Sequence, residues 1–292
     1  MARPALSATR SVDIIDLLAT FPDQSFTLTE ISRAAKINIA SCHAVVSALV
    51  ARGYLARSSN GRAYTLGPLL TAIGQAALKS QPMVAKACET AQELARELGA
   101  PASLTAVAGE EIVALASFAD ATGRTPAMRV AERRPFVAPL GAPFVAWAPD
   151  EAVEAWIARN TLPQSQDRSA EWRHILQLTR QRGYQVTLRS PDSRRIVAMR
   201  TDLASGHSLP DYKEELFNLF NALDHDLDQP EAIEPDQLYD IMLIASPLFD
   251  RNGDVVLSLN VGDFAEKLTG ATIIAYADRL VRACLDVMRT QR

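Results

Sequence analysis

The chain has 292 residues, 48% of them hydrophobic and 22% charged, with a formal net charge of −4. At about 150 residues per domain, that length predicts two domains, each long enough for a substantial core. No stretch approaches the ~20 consecutive apolar residues of a membrane span, and Met1-Ala2-Arg3-Pro4 leads into no signal-peptide core, so a cytoplasmic protein with no membrane contact is expected. Cys42, Cys88 and Cys284 are too far apart for a disulfide framework or a CxxC metal site, and each falls on an apolar helical stripe.

Charge is distributed unevenly. Residues 1–80 carry a net +4, while the remainder carries −8. An acidic protein with a basic first quarter confines contact with a polyanion to its N-terminal part.

Val12, Ile15, Leu18 and Ala19 give the first apolar helix face. Thr27 precedes Glu30 by three residues, a capping box that starts a second helix carrying Leu28, Ile31 and Ala35. Lys36-Ile37-Asn38 breaks the pattern. A third helix follows, with Ile39, Cys42, Val46, Leu49 and Val50 on its predicted buried stripe. Its opposite face carries Ala40, Ser41, His43, Ala44 and Ser47, small or polar side chains that let a helix lie deep in a major groove. Gly53 ends it. Tyr54–Arg57 and Ala63–Leu66 then flank Ser58-Ser59-Asn60-Gly61-Arg62, a hairpin with an Asn-Gly turn signal and with Arg57 and Arg62 where a phosphate backbone would pass. This order is a winged helix-turn-helix, predicted over residues 1–67. Its candidate DNA contacts are Thr27, Lys36, Asn38, Ala40, Ser41, His43, Ala44, Ser47, Arg57 and Arg62.

Pro68 to Leu78 continues into an apolar helix with Leu69, Leu70, Ile73, Ala76 and Ala77, closed by Gln81-Pro82, and is read as a linker over 68–82. From residue 83 a mixed domain is expected. Val84–Leu98 is amphipathic, and strands at Ser103–Ala108 and Ile112–Phe118 are joined at Gly109-Glu110-Glu111. Met128–Ala131 is ambiguous. Helical pieces follow at Ala142–Trp147, Asp150–Arg159 and Glu171–Arg182. Late strands at Leu238–Ala245 and Val255–Val261 surround the Asp250–Gly253 turn, and a final helix from Ala271 carries Ile273, Ile274, Ala277, Leu280, Val281 and Cys284. The second domain is predicted as an α+β sheet with helices on one side. Residues 201–237 hold ten acidic residues against Lys213 alone, yet Tyr212, Leu216, Phe217, Leu219, Phe220 and Leu223 keep helical spacing, which predicts an acidic insertion with its own amphipathic helix. Asp224-His225-Asp226 with Asp228 reads as a solvated helix end and not as a metal site, because no EF-hand spacing accompanies it.

The order of helices, "ARGYL", wing and "YTLG", followed by a linker and a long mixed domain, resembles the IclR family of bacterial transcriptional regulators over nearly the whole chain. "FVAPLGAPFVAWAPDEAVEAWI" is similar to the family's effector-pocket loop and helix, and "IASPLFDRNGDVVLSLNVGDF" to its late hairpin. The resemblance implies a homodimeric or tetrameric regulator of double-stranded operator DNA, with a C-terminal GAF-like domain that binds a small-molecule effector. It places the effector against Leu140, Gly141, Ala142, Leu243, Asn260 and Gly262. Where family members that bind small carboxylates have Cys or Ser on the hairpin, this chain has Leu243, Asn260 and Gly262, which predicts a larger or less charged ligand. The recognition helix has Ser41, Cys42, His43 and Ala44 but lacks the Arg that usually follows the family's His, a contact worth about 1–3 kcal/mol.

No nucleophile elbow, phosphate-cradling glycine loop or His-rich spacing is present, and His174, His207 and His225 are scattered. Neither enzymatic activity nor a cofactor or metal is expected. The alternative is a regulator-like protein that has lost specific DNA binding and acts as a ligand-binding or enzymatic module.

Overall fold

A computed structural model describes residues 5–59, 61–126, 128–160, 167–189 and 229–290. The described residues up to Gln81 form one compact unit and those from Pro82 form another.

The first unit runs α1 (Leu6–Thr20), β1 (Phe26–Thr27), α2 (Leu28–Ala34), α3 (Ile39–Ala51), β2 (Leu55–Arg57), β3 (Ala63–Leu66) and α4 (Leu69–Ser80). Its core is small. Ile14, Leu17, Leu18 and Phe21 of α1 and its exit meet Ile31 and Ala34 of α2 and Cys42 and Val46 of α3. The α1 stripe differs from the one expected, since Val12 is exposed and Ile15 only half-buried. Both sets obey helical spacing, and only docking against α2 and α3 selects between them. Ile39 is likewise exposed, because α3 enters from the Lys36–Asn38 turn ahead of its packed surface.

Three local devices build this unit. The capping box at Thr27 is complete: its backbone amide donates to Glu30 Oε2 at 2.7 Å, and the Glu30 amide donates to Thr27 Oγ1 at 3.3 Å. Asn38 caps α3 by accepting the Ser41 amide at 2.9 Å. At the other end of α3 the Tyr54 amide reaches Leu49 O and the Gly53 amide reaches Val50 O, a Schellman closure with Gly53 at φ +74°. That closure turns the chain into a three-stranded sheet of order β1-β3-β2.

The second unit runs α5 (Pro82–Glu97), β4 (Ala102–Ala108), β5 (Glu111–Phe118), β6 (Arg133–Pro135), α6 (Ala142–Val145), α7 (Asp150–Ala158), α8 (Ser169–Arg182), β7 (Gln185–Leu188), β8 (Leu238–Tyr239), β9 (Ile241–Phe249), β10 (Val255–Gly262), β11 (Leu268–Thr269) and α9 (Gly270–Arg289). Six strands form one antiparallel sheet, ordered β6-β5-β4-β10-β9-β7, and β8 pairs with β11. Strands β6 and β7, one at each edge, lie outside the strands predicted from the sequence, because runs of three and four residues are too short for alternation to mark them. Residues 201–228 of the acidic insertion, with the predicted amphipathic helix and the Asp224–Asp228 cluster, lie outside the described residues.

Alternation along β10 sorts the two faces. Leu257, Leu259 and Val261 enter the main core with Ala91 and Leu94 of α5 and Ala277, Leu280 and Cys284 of α9. Burial pushes the Cys284 thiol pKa up to about 12, which marks it as inert core. On the opposite face α6, α7 and α8 gather a second core around Trp156, Trp172 and Ile175. Helices therefore cover both faces, and the one-sided arrangement expected from the sequence is wrong. The reason is α6, a single turn after Gly141 too short to register as a layer, which docks on β9 and β10 and carries α7 and α8 with it.

Two stability predictions follow from these contacts. A Cβ at Gly67 would stand 2.2 Å from Gly53 O and 2.7 Å from Tyr54 C, both backbone atoms, where the chain re-crosses the end of α3. Gly67→Ala is expected to destabilise the first unit by about 1–3 kcal/mol, read as a lowered unfolding midpoint in urea. Asp120 is the second case. Burial alone raises its pKa, but hydrogen bonds from Thr122 and Arg124 outweigh it and hold the carboxyl at about 2. A folded pKa below the unfolded value of about 3.9 gives stability that is present above pH 4 and lost as pH falls from about 4 through 2. Asp120→Asn is expected to flatten that part of a melting-temperature profile measured from pH 6 to 2.5.

Candidate functional site

Two sites emerge, one in each unit. In the first, Ala40, His43, Ala44 and Ser47 fall on one face of α3, all exposed except the half-buried Ser47. Ala48 and Ala51 extend that face; the same i, i+4 spacing in the sequence would have found them. The face is almost free of bulk, so the helix axis can approach another surface closely.

The remaining candidates take different positions. Ser41 is half-buried beside the face, with its amide held by the Asn38 cap. Lys36 is exposed at φ +51° in the turn before α3. Thr27 and Asn38 spend their side-chain oxygens on helix starts, Thr27 Oγ1 also donating to Glu30 Oε2 at 2.8 Å, so their role is to aim α2 and α3.

The hairpin stands beside this face. Leu55 pairs with Leu66, Ala56 with Thr65 and Arg57 with Tyr64. Ser58 closes the loop, donating its amide to Ala63 O at 2.8 Å and accepting the Ala63 amide on Oγ at 3.1 Å. The Arg57 guanidinium lies 5.5 Å from the centre of the Tyr64 ring, which holds it on the hairpin without neutralising it. Arg62 is exposed near the tip. This arrangement offers a shallow helix face with one imidazole and hydroxyls for base edges, and hairpin cations for phosphates.

The second site is a cavity of about 110 Å³ between the sheet and the α6 side of the second unit. That is well above the roughly 10–15 Å³ a single water needs, so the cavity has room for several waters or a small organic molecule. Of the six residues placed at the effector by resemblance, Leu140, Gly141, Leu243, Asn260 and Gly262 line it. Ala142 does not; as the first residue of α6 it is fully buried in the second core. Gly141 and Gly262 contribute backbone. At Gly141, φ +81°, a Cβ would strike the Phe136 ring at 2.7 Å, and at Gly262 it would strike Met242 O at 2.4 Å.

The floor carries a row of residues across four strands. Gln185 of β7 pairs with Ala245 of β9, Ala245 with Asn260 of β10, and Asn260 with Ser103 of β4. Asn260 is engaged within the protein. Its Nδ2 lies 3.2 Å from Thr105 Oγ1 and 3.3 Å from Ser103 O, and its Oδ1 accepts Ser258 Oγ at 2.9 Å. Asn260, which the sequence places at the effector, lines the cavity while its side chain ties β4 to β10. Ile112, Met128, Leu140 and Phe144 supply apolar wall.

Charge enters at the rim. Arg134 Nη2 is 3.4 Å from the buried Glu132 carboxylate. Asp263, at φ +53°, is 3.9 Å from Arg189 Nη1, and its carbonyl accepts from Arg124 Nη1 at 3.3 Å. Sequence reading missed Ser103, Thr105, Arg134 and Gln185, because they reach the cavity from strands far apart in the chain. Among the described residues no group of three or more His, Cys, Asp or Glu residues could hold a metal ion.

A search of curated protein sequences finds no match. Residues 7–59 match the family model described as the IclR helix-turn-helix domain. Among solved structures, an IclR transcriptional regulator from Alicyclobacillus acidocaldarius is 19% identical with a TM-score of 0.72, covering 99% of this chain and 100% of its own. An IclR homolog from Microbacterium hydrocarbonoxydans, solved complexed with 4-hydroxybenzoate, is 18% identical with a TM-score of 0.66, covering 98% and 99%. Pseudomonas aeruginosa HmgR is 18% identical with a TM-score of 0.63 over 98% and 99%. Helix α3 and the first hairpin strand thus fall within residues that match the IclR helix-turn-helix domain, and the chain as a whole shares the fold of solved IclR transcriptional regulators.

Proposed function

We propose that this protein is a transcription regulator that binds double-stranded operator DNA through α3 and the β2–β3 hairpin, with operator affinity set by a small molecule in the second-unit cavity. The observation that carries the reading is the α3 face of Ala40, His43, Ala44 and Ser47, exposed beside a hairpin bearing Arg57 and Arg62, within a matched helix-turn-helix domain. The net +4 of residues 1–80 supports it, since the rest of the chain is acidic.

The active form is a homodimer or tetramer. Helix α4 has no buried residue in the single chain, and Leu69 and Ile73 are 37% and 40% exposed along it. A second copy would cover that face, matching two reading helices to two half-sites. A regulator of this kind works in the cytoplasm. In keeping with that, among the described residues no single helix is long and apolar enough to cross a membrane.

The effector reading rests on the cavity, whose apolar walls and hydroxyl-bearing floor suit a small, largely apolar molecule with few polar groups. Bound 4-hydroxybenzoate in the Microbacterium homolog is consistent with a ligand of that kind here. Control follows from linkage: an effector that favours one arrangement of the regulator changes operator affinity by at most its differential affinity for the two.

The full-length protein is expected to bind DNA from its own promoter region with an affinity that falls steeply with salt, the log–log slope being about −0.9 per phosphate contacted. His43→Ala is expected to weaken that binding by about 1–3 kcal/mol while shifting stability by no more than about 0.5 kcal/mol. Salt-independent binding, or a variant that loses stability but not affinity, would remove α3 as the reading helix. For the second site, 4-hydroxybenzoate at a hundredfold excess over its Kd is expected to stabilise the protein by about 2.7 kcal/mol and to change operator affinity. Stabilisation without any change in DNA binding would argue against effector control.

A further inference from the structure

Gln185 stands apart from the other polar residues around the cavity. It is 5% exposed, it lines the cavity, and its carboxamide makes no hydrogen bond among the described residues. Strand alternation sets its direction: Val186 and Leu188 pack into the core shared with α5 and α9, so Gln185 points to the opposite, cavity face. Its row neighbour Ala245 is small, which leaves the long side chain room above the floor. Asn260, two strands away, is saturated by Ser103, Thr105 and Ser258 and does not engage it.

Neither polar atom of the Gln185 carboxamide is sealed from solvent, so the group opens onto the cavity with its hydrogen-bonding capacity unspent within the protein, at an edge strand where an apolar side chain of equal size would pack. A carboxamide offers one acceptor and two donors, so it matches a hydroxyl or a carboxyl group equally well. We propose that the Gln185 carboxamide is the polar reader of this cavity, hydrogen-bonding a hydroxyl or carboxyl group on a small aromatic acid whose ring lies against Phe144 and Leu140. The proposal rests on the cavity being the effector site and adds to it the residue that sets ligand choice.

The test compares the full-length protein with Gln185→Met, which keeps the length of the side chain and removes the amide. The probe is 4-hydroxybenzoate, with affinity measured by calorimetry and folding by thermal unfolding without ligand. The expected result is an affinity about tenfold lower in Gln185→Met, the loss of one ligand hydrogen bond, with an unliganded melting temperature equal to or above that of the parent. The melting temperature separates the roles, because a glutamine that held the fold together would lower it on replacement. Unchanged affinity, or a lowered unliganded melting temperature, overturns the proposal. So does a parent protein that does not bind 4-hydroxybenzoate. Failure of the effector reading itself is a different result: tight binding lost in Gln185→Met, with operator affinity indifferent to the ligand.

Discussion

Alternation along β10 is the constraint on which the second unit depends. Leu257, Leu259 and Val261 face α5 and α9, while Ser258, Asn260 and Gly262 face the cavity. A shift of one residue against β4 or β9 would drive the polar set into the main core and the aliphatic set into the cavity. Register is therefore enforced from both faces. The pairings Asn260 to Ser103 and Asn260 to Ala245 follow, and with them the row that ends at Gln185.

A buried polar floor is hazardous unless its groups are satisfied, and Asn260 answers that problem for three neighbours at once. With its amide on Ser103 and Thr105 and its carbonyl oxygen taking the Ser258 hydroxyl, the floor is rigid before any ligand arrives. Rigidity of this kind would lower the ordering cost of binding a ligand in the cavity, as the proposed effector reading requires. Gly141 and Gly262 serve the same end by another route, bringing backbone to the wall where a side chain would collide with Phe136 or Met242.

The first unit solves a different problem, the presentation of a helix with little core behind it. Its buried set is short, so the aim of α3 depends on local closures: the Thr27–Glu30 box, the Asn38 cap and the Schellman turn at Gly53. These leave the Ala40, His43, Ala44 and Ser47 face clear and hold the hairpin beside it. A face of methyl groups with one imidazole offers few polar groups, so in the proposed reading the hairpin cations would carry more of the attraction to DNA than they would beside an arginine-bearing helix.

What the amino-acid order decided by itself was local. Capping residues, the Gly53 and Gly183 helix ends, the exposed α3 face and the alternation of the late hairpin are dictated by neighbours within about seven residues, where spacing and backbone preference act directly. The α1 stripe shows the limit. Val12, Ile15 and Ala19 and the observed Ile14, Leu17 and Phe21 satisfy the same periodicity, and packing against α2 and α3 made the choice. Tertiary structure alone decided the cavity, because its floor is assembled from Ser103, Gln185, Ala245 and Asn260 on four strands separated by tens of residues. It also decided that Ala142 is core rather than wall, and that helices cover both faces of the sheet. Such assignments turn on which distant strand pairs with which, and hydrogen-bonded register between distant strands leaves no periodic mark on any one of them.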